Sequence, residues 1–257
     1  MMSVDTQRIG LFLDNAARTA TAVPQFTGSE AFDLDAAYRI QQASIAARLQ
    51  RGERIVGMKM GFTSRAKMVQ MGVSDMICGR LTDAMLVEDG GSIRMADFVH
   101  PRVEPEIAFL LKRSIRGKLT PLQAMDAVEA VAPALEIIDS RYEAFKFSLS
   151  DVVADNSSSS AFVVGAWCRP DSNLDNLGMV MSFDGRAEAI GSSAAILGHP
   201  VRSLAAAARL AEERGLELEA GSIVLAGGAT AASALRAGLH VSLEVQTLGF
   251  TGFSVAE

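Results

Sequence analysis

Polar and apolar positions divide the chain into two regimes. Residues 4 to about 19 place Ile9, Phe12, Leu13 and Ala16 on one stripe at helical spacing, and Asp33 or Asp35 can cap a second helix. In that helix Ala36, Ile40, Ala43 and Ala47 recur until Gly52. From Arg54 onward short apolar or β-branched runs broken by Gly, Pro and Asp take over. Arg54–Phe62 alternates as a strand, with Val56, Met58, Met60 and Phe62 on one side and Gly57, Lys59 and Gly61 on the other.

The pattern next predicts a short helix over Ser64–Val73 with Met68 and Met71 inward, then short strands at Ala84–Val87 and Ser92–Met95. A mostly apolar strand follows around Val103–Leu111. Thr120 with Pro121 opens a helix expected to reach about Val131 and to stop at Pro133, before a short strand over Leu135–Asp139. Asp184-Gly185 is a hairpin signal between Met179–Phe183 and Ala187–Ile190. Ser203 is expected to cap a helix ended by Gly215; Gly221–Ala226, His240–Thr247 and Phe250–Val255 read as strands. The sum is an α+β fold on a mixed sheet, with an N-terminal helical segment over 1–53 and a strand-rich domain over 54–257.

Composition narrows the function. The chain has 257 residues, 49% hydrophobic and 21% charged, with a net charge of −6 and no basic block, so nucleic acid and anionic membranes are poor partners. No apolar run approaches the ~20 residues of a membrane span. Cys78 and Cys168 lack metal-type spacing. A reduced, cytoplasmic protein is the expectation.

Chemistry concentrates where the alternation places charges on buried faces. Glu104 and Glu106 project from one face of an apolar strand, which is costly unless a cation or a proton lies between them. Glu136, on the other apolar strand, is the best third oxygen ligand for a hard cation such as Mg²⁺ or Mn²⁺. Salt bridges to Arg102 or Arg141 would account for the same acids without a metal. Lys59, between two glycines on its own face, has room for a ligand to approach. Asp139-Ser140-Arg141 and Asp151 to Asn156 can build a site or merely a hydrogen-bonded turn. None of His100, His199 and His240 is assigned as a ligand, and no nucleophile motif or dinucleotide fingerprint is present.

Four ordered motifs carry a family resemblance: Gly57-Met58-Lys59-Met60-Gly61-Phe62-Thr63-Ser64, Glu104-Pro105-Glu106-Ile107-Ala108-Phe109, Ala134 to Arg141, and Val153-Ala154-Asp155-Asn156. Together they resemble the hydratase/decarboxylase branch of the fumarylacetoacetate hydrolase superfamily. The segments Ser64 to Met68, Ser140 to Phe147 and Gly227 to Ala232 resemble its decarboxylases more than its hydratases. The resemblance implies a mixed β-sandwich roll and a Mg²⁺ or Mn²⁺ site at Glu104, Glu106 and Glu136. The reaction it implies is decarboxylation of the small 2-oxo acid 2-oxohex-3-enedioate, with hydration of 2-hydroxypenta-2,4-dienoate as the alternative and a non-catalytic partner of the hydratase as a third reading. Lys59, Asp83 and Asp155 would then serve catalysis, and Lys59, Arg141, Asn156 and Ser159 would hold substrate, with Lys146 a further candidate. A homo-oligomer, and a complex with the pathway's hydratase, are also implied. Ser157 departs from the branch, whose members usually carry Ala after Asp-Asn.

Overall fold

Two long antiparallel strands, β5 (Arg102–Leu111) and β6 (Val128–Ile138), form the spine of the molecule, paired in register along nearly their full length. The computed structural model describes residues 4–28, 31–64, 68–69 and 75–257. The remaining strands are β1 (Ile55–Gly61), β2 (Ile77–Thr82), β3 (Leu86–Val87), β4 (Ser92–Arg94), β7 (Ser159–Val164), β8 (Gly178–Phe183), β9 (Arg186–Ser192), β10 (Ile223–Leu225), β11 (Ser233–Ala234), β12 (His240–Val245) and β13 (Gly249–Ala256). One sheet runs β2-β1-β10-β5-β6-β7-β3 with β11 also on β5; the other runs β4-β13-β12-β8-β9. Parallel pairs (β1 with β10, β3 with β7, β4 with β13) sit among antiparallel ones, so the sheets are mixed as expected.

The two faces of the spine differ. Val103, Ile107, Phe109, Leu135 and Ile137 point into the main core, which they share with Met179, Met181, Val241, Leu243 and Phe253 of the second sheet. The other face carries Glu104, Glu106 and Glu136 beside a small separate cluster that includes Ala108, Ala132, Ala134, Phe162 and Leu225. Helices α1 (Thr6–Arg18) and α2 (Leu34–Gln50) pack into the main core rather than standing apart. Asp33 caps α2 through Ala36 N–H, and Gln41 donates to the carbonyls of Cys78 and Val153, tying the helix to β2 and to α4 (Leu149–Ala154). α3 spans Pro121–Met125, and α5 spans Pro200–Glu213. Among the described residues no helix is long and apolar enough to cross a membrane.

Several local expectations give way. The helix opened by Thr120 ends at Met125, and Pro133 lies inside β6 instead of stopping a helix. A strand residue's N–H and C=O point to the same neighbour, and Pro133's carbonyl accepts from Gly165 N–H just beyond the end of β7. The missing N–H therefore faces a spot where the ladder has already run out. Pro105 obeys the same rule, accepting from Ala229 N–H in the gap between β10 and β11. The N-cap of α5 is His199, whose Nδ1 accepts from Val201 N–H, while Ser203 is buried within the helix. Ala84–Val87 is a short turn of 3-10 helix with only Leu86–Val87 as strand. The helix expected over Ser64–Val73 falls mostly outside the described residues.

Candidate active site

Register builds the site. Glu104 and Glu136 are direct cross-strand partners, and Glu106 stands two residues along the same face of β5. Among the described residues these three acids form the one group able to share a metal ion, each offering an oxygen within 4.8 Å of the others. Glu106 and Glu136 are fully buried and Glu104 is partly so. Lys59 reaches across from β1, its Nζ 2.9 Å from Glu136 Oε2. Ser159 Oγ donates to the other Glu136 oxygen at 2.9 Å, and Gly227 N–H donates to Glu106 Oε2 at 2.6 Å. The second oxygen of Glu106 is buried without a hydrogen-bond partner.

Electrostatics make that arrangement unstable as a set of bare charges. Burial raises the pKa of Glu106 well above the carboxylate range, reinforced by the Glu136 charge. Burial raises Glu136 too, against the pull of Lys59. For Lys59, burial opposes the charged form, but Glu136, Glu106 and Glu104 together outweigh it and keep the ammonium protonated. One lysine answers only one of the two fully buried carboxylates. The orphaned oxygen, the all-carboxylate donors and the residual negative charge fit a hard divalent cation.

The glycines around the site work differently from the expectation. A side chain at Gly57 would strike the Ile223 carbonyl at 1.9 Å, and one at Gly61 would meet Ile77 Cγ1 at 2.8 Å. These glycines let neighbours close on β1 and do not clear space for a ligand beside Lys59. The pair after β10 does shape the site: Gly227 at φ +102° packs on Thr63, and a Cβ on Gly228 would fall 2.3 Å from Glu104 Oε2. In the sequence Gly227-Gly228 figures only within the segment Gly227 to Ala232 that resembles the decarboxylases, with no place at the acids. Its usable signal was two glycines directly after a buried strand.

Other expected residues have partners of their own. Asp83 takes the backbone N–H and Nε of Arg54, both at 2.9 Å, and those hydrogen bonds hold its carboxyl below the ordinary range, so it stands apart from the acids. Asp155 accepts from Arg141 N–H and Nε; burial nonetheless pushes it up to about 6. Arg141 also donates to Ser160 Oγ at 2.6 Å and to the Asp155 carbonyl at 2.9 Å. These two line a cavity of about 620 Å³ that also takes in Ser159 and Ser160, while Glu104, Glu106, Glu136 and Lys59 do not line it. Asn156 lines the same cavity and joins its amide to β2, accepting from Arg80 N–H at 2.7 Å and donating to Arg80 C=O at 2.9 Å. The departing Ser157 donates to the Cys78 carbonyl at 2.8 Å. The structure adds Ser158, not singled out in the sequence: its hydroxyl is buried without a partner, in a run of three positive-φ residues, Asn156 to Ser158.

Comparison with known proteins follows the same lines. A 4-oxalocrotonate decarboxylase of Pseudomonas sp. is 63% identical over 247 residues, 96% of each chain. The chain belongs to the hydratase/decarboxylase branch of the fumarylacetoacetate hydrolase superfamily. A 2-hydroxyhexa-2,4-dienoate hydratase of Comamonas testosteroni is 33% identical over 260 residues, covering 99% of this chain and 98% of its own. The solved 4-oxalocrotonate decarboxylase of Pseudomonas putida G7, complexed with magnesium and adipate, superposes with a TM-score of 0.94 at 36% identity over 97% of each chain. More distant hydrolases of the superfamily share the fold alone. No family model matches the chain.

Proposed function

We propose that this protein decarboxylates 2-oxohex-3-enedioate to 2-hydroxypenta-2,4-dienoate and CO₂. The observation that carries the reading is the buried trio Glu104, Glu106 and Glu136 with Lys59 against it, in a chain 63% identical to a decarboxylase. As the C5–C6 bond breaks, its electron pair forms C4=C5, the C3=C4 pair moves to C2=C3, and the C2 carbonyl oxygen takes the charge and then a proton. A Mg²⁺ or Mn²⁺ held by the three glutamates supplies Lewis-acid stabilisation of that charge when bound.

The chain's own groups set up the rest. Ser159 and Lys59 fix the two oxygens of Glu136, and Gly227 N–H fixes one of Glu106, so both carboxylates are aimed before anything binds. Lys59, whose ammonium lies against Glu136, is the cationic hydrogen-bond donor at this site for a substrate carboxylate. The Ser158 hydroxyl offers a further unspent donor, and Arg141, braced by Asp155, a second cation for the distal carboxylate. Asp83, engaged with Arg54, is left out of the catalytic set, while Asn156, in the same cavity wall as Arg141 and braced on Arg80, stays a substrate-binding candidate.

The hydratase reading rests on the 33% identical hydratase and on the same trio. Offering each substrate to the purified protein with Mg²⁺ separates the two: CO₂ release from the diacid, with little hydration of the dienoate, is expected, and the reverse would transfer the assignment. With this reading we propose a cytoplasmic homo-oligomer, associated with the hydratase that consumes its product. The 1–53 segment, its helices packed into the core shared with the strand-rich 54–257 portion, is proposed as a cap or an interface.

A further inference from the structure

Away from the acid trio, a second polar feature lacks an explanation. A cavity of about 160 Å³ lies between α2 and the β1–β2 edge, walled by Tyr38, Ile45, Leu49, Ile55, Cys78 and Leu216 and also by Arg80 and Arg214. The Nη1 of Arg80 and the Nε of Arg214 are both buried with no hydrogen-bond partner. Arg214 is otherwise well placed: its guanidinium stacks 3.9 Å over the Tyr38 ring and Nη1 pairs with Asp35 at 3.1 Å. Burial lowers the pKa of Arg80, with only the Cys78 thiol and Glu219 pulling the other way. Leaving guanidinium N–H groups buried and unanswered costs free energy that the apolar wall does not return.

The demand of such a space is specific. Two N–H donors beside an apolar slot suit a flat anion with two acceptor oxygens and a small hydrocarbon body. A cavity of about 150 Å³ accommodates a benzene-sized ring. We propose that this cavity is a binding site for a small monocarboxylate, of aromatic or short aliphatic type, held by Arg80 and Arg214 and separate from the catalytic acids. Its floor is β2, whose Gly79 is the register partner of Lys59 and whose Cys78 is the partner of Met60. An occupant would contact Cys78 and Arg80, the residues on either side of Gly79.

The test is calorimetric titration of benzoate into the Mg²⁺-loaded protein and into Glu106→Gln, Arg80→Met and Arg214→Met variants, with inorganic phosphate as a control anion. One benzoate per chain is expected in wild type and in Glu106→Gln, weakened at least tenfold in either arginine variant and not displaced by phosphate. Methionine fills the space of the arginine stem without its charge, so at least one arginine variant should keep the wild-type melting temperature. No heat at ~10 mM benzoate, which would reveal a Kd as weak as about 1 mM, means that the cavity holds water and overturns the site. Binding lost in Glu106→Gln but kept in both arginine variants places benzoate at the acid trio and overturns it equally.

Discussion

Lys59 is worth most to this fold when no metal is present. It is then the cation facing the buried Glu136 and Glu106, so Lys59→Met leaves those charges without it. Removing one partner of a buried pair costs about 3–5 kcal/mol. Chemical denaturation should show a loss of that order in EDTA and a much smaller one with saturating Mg²⁺; equal losses would mean that the trio does not hold a cation. The acids themselves set a pH dependence. Burial raises the folded pKa values of Glu106 and Glu136 above the unfolded ones, so these two disfavour the metal-free fold at neutral pH, and the penalty is relieved as pH falls and they protonate. Metal requires the ionised form, so binding near neutrality should release protons and weaken toward acid pH. Calorimetry in buffers of different ionisation enthalpy measures that release; buffer-independent heats would contradict it.

At the scale of elements, β5 is legible because alternation along an apolar strand is a strong signal, and it puts Glu104 and Glu106 on one face; of β6 only the end carrying Glu136 reads as a strand, the part before Pro133 reading as helix. What alternation could not reveal was register. Only the pairing of Glu104 with Glu136 turns three acids on two strands into one cluster. Pro133 misled for a related reason, since whether a proline breaks a strand depends on where the neighbouring ladder ends. The resemblance singles out Asp83 and Asn156, but not their hydrogen-bond partners Arg54 and Arg80, which lie far off or carry no motif in the sequence. Gly57 and Gly61 were read as open space when they are points of closest packing. Gly228 offers the sharpest element-level test. Gly228→Ala should keep the fold, since its intruding Cβ meets a side-chain oxygen, but displace Glu104 and weaken Mg²⁺ binding at least tenfold; unchanged affinity would exclude a ligand role for Glu104.

On the scale of the whole molecule, the roll gives one sheet two jobs. Its inner face packs against the second sheet, and its other face holds the acids beside a small buried cluster that includes Ala108, Ala132 and Ala134. The β5–β6 ladder holds the acids close despite their repulsion, and the charge on Glu106 that Lys59 leaves over is what a divalent ion would answer in the proposed site. Glu106 is the residue on which that account turns, because Gln keeps its size and still accepts from Gly227 N–H while removing the charge. The decisive measurement is Mg²⁺-dependent CO₂ release from 2-oxohex-3-enedioate by wild type and Glu106→Gln. Wild-type turnover that vanishes in EDTA and returns with Mg²⁺, with a fall of at least ~100-fold in a folded Glu106→Gln variant, is the result expected; metal-independent turnover, or undiminished turnover in the variant, would contradict it.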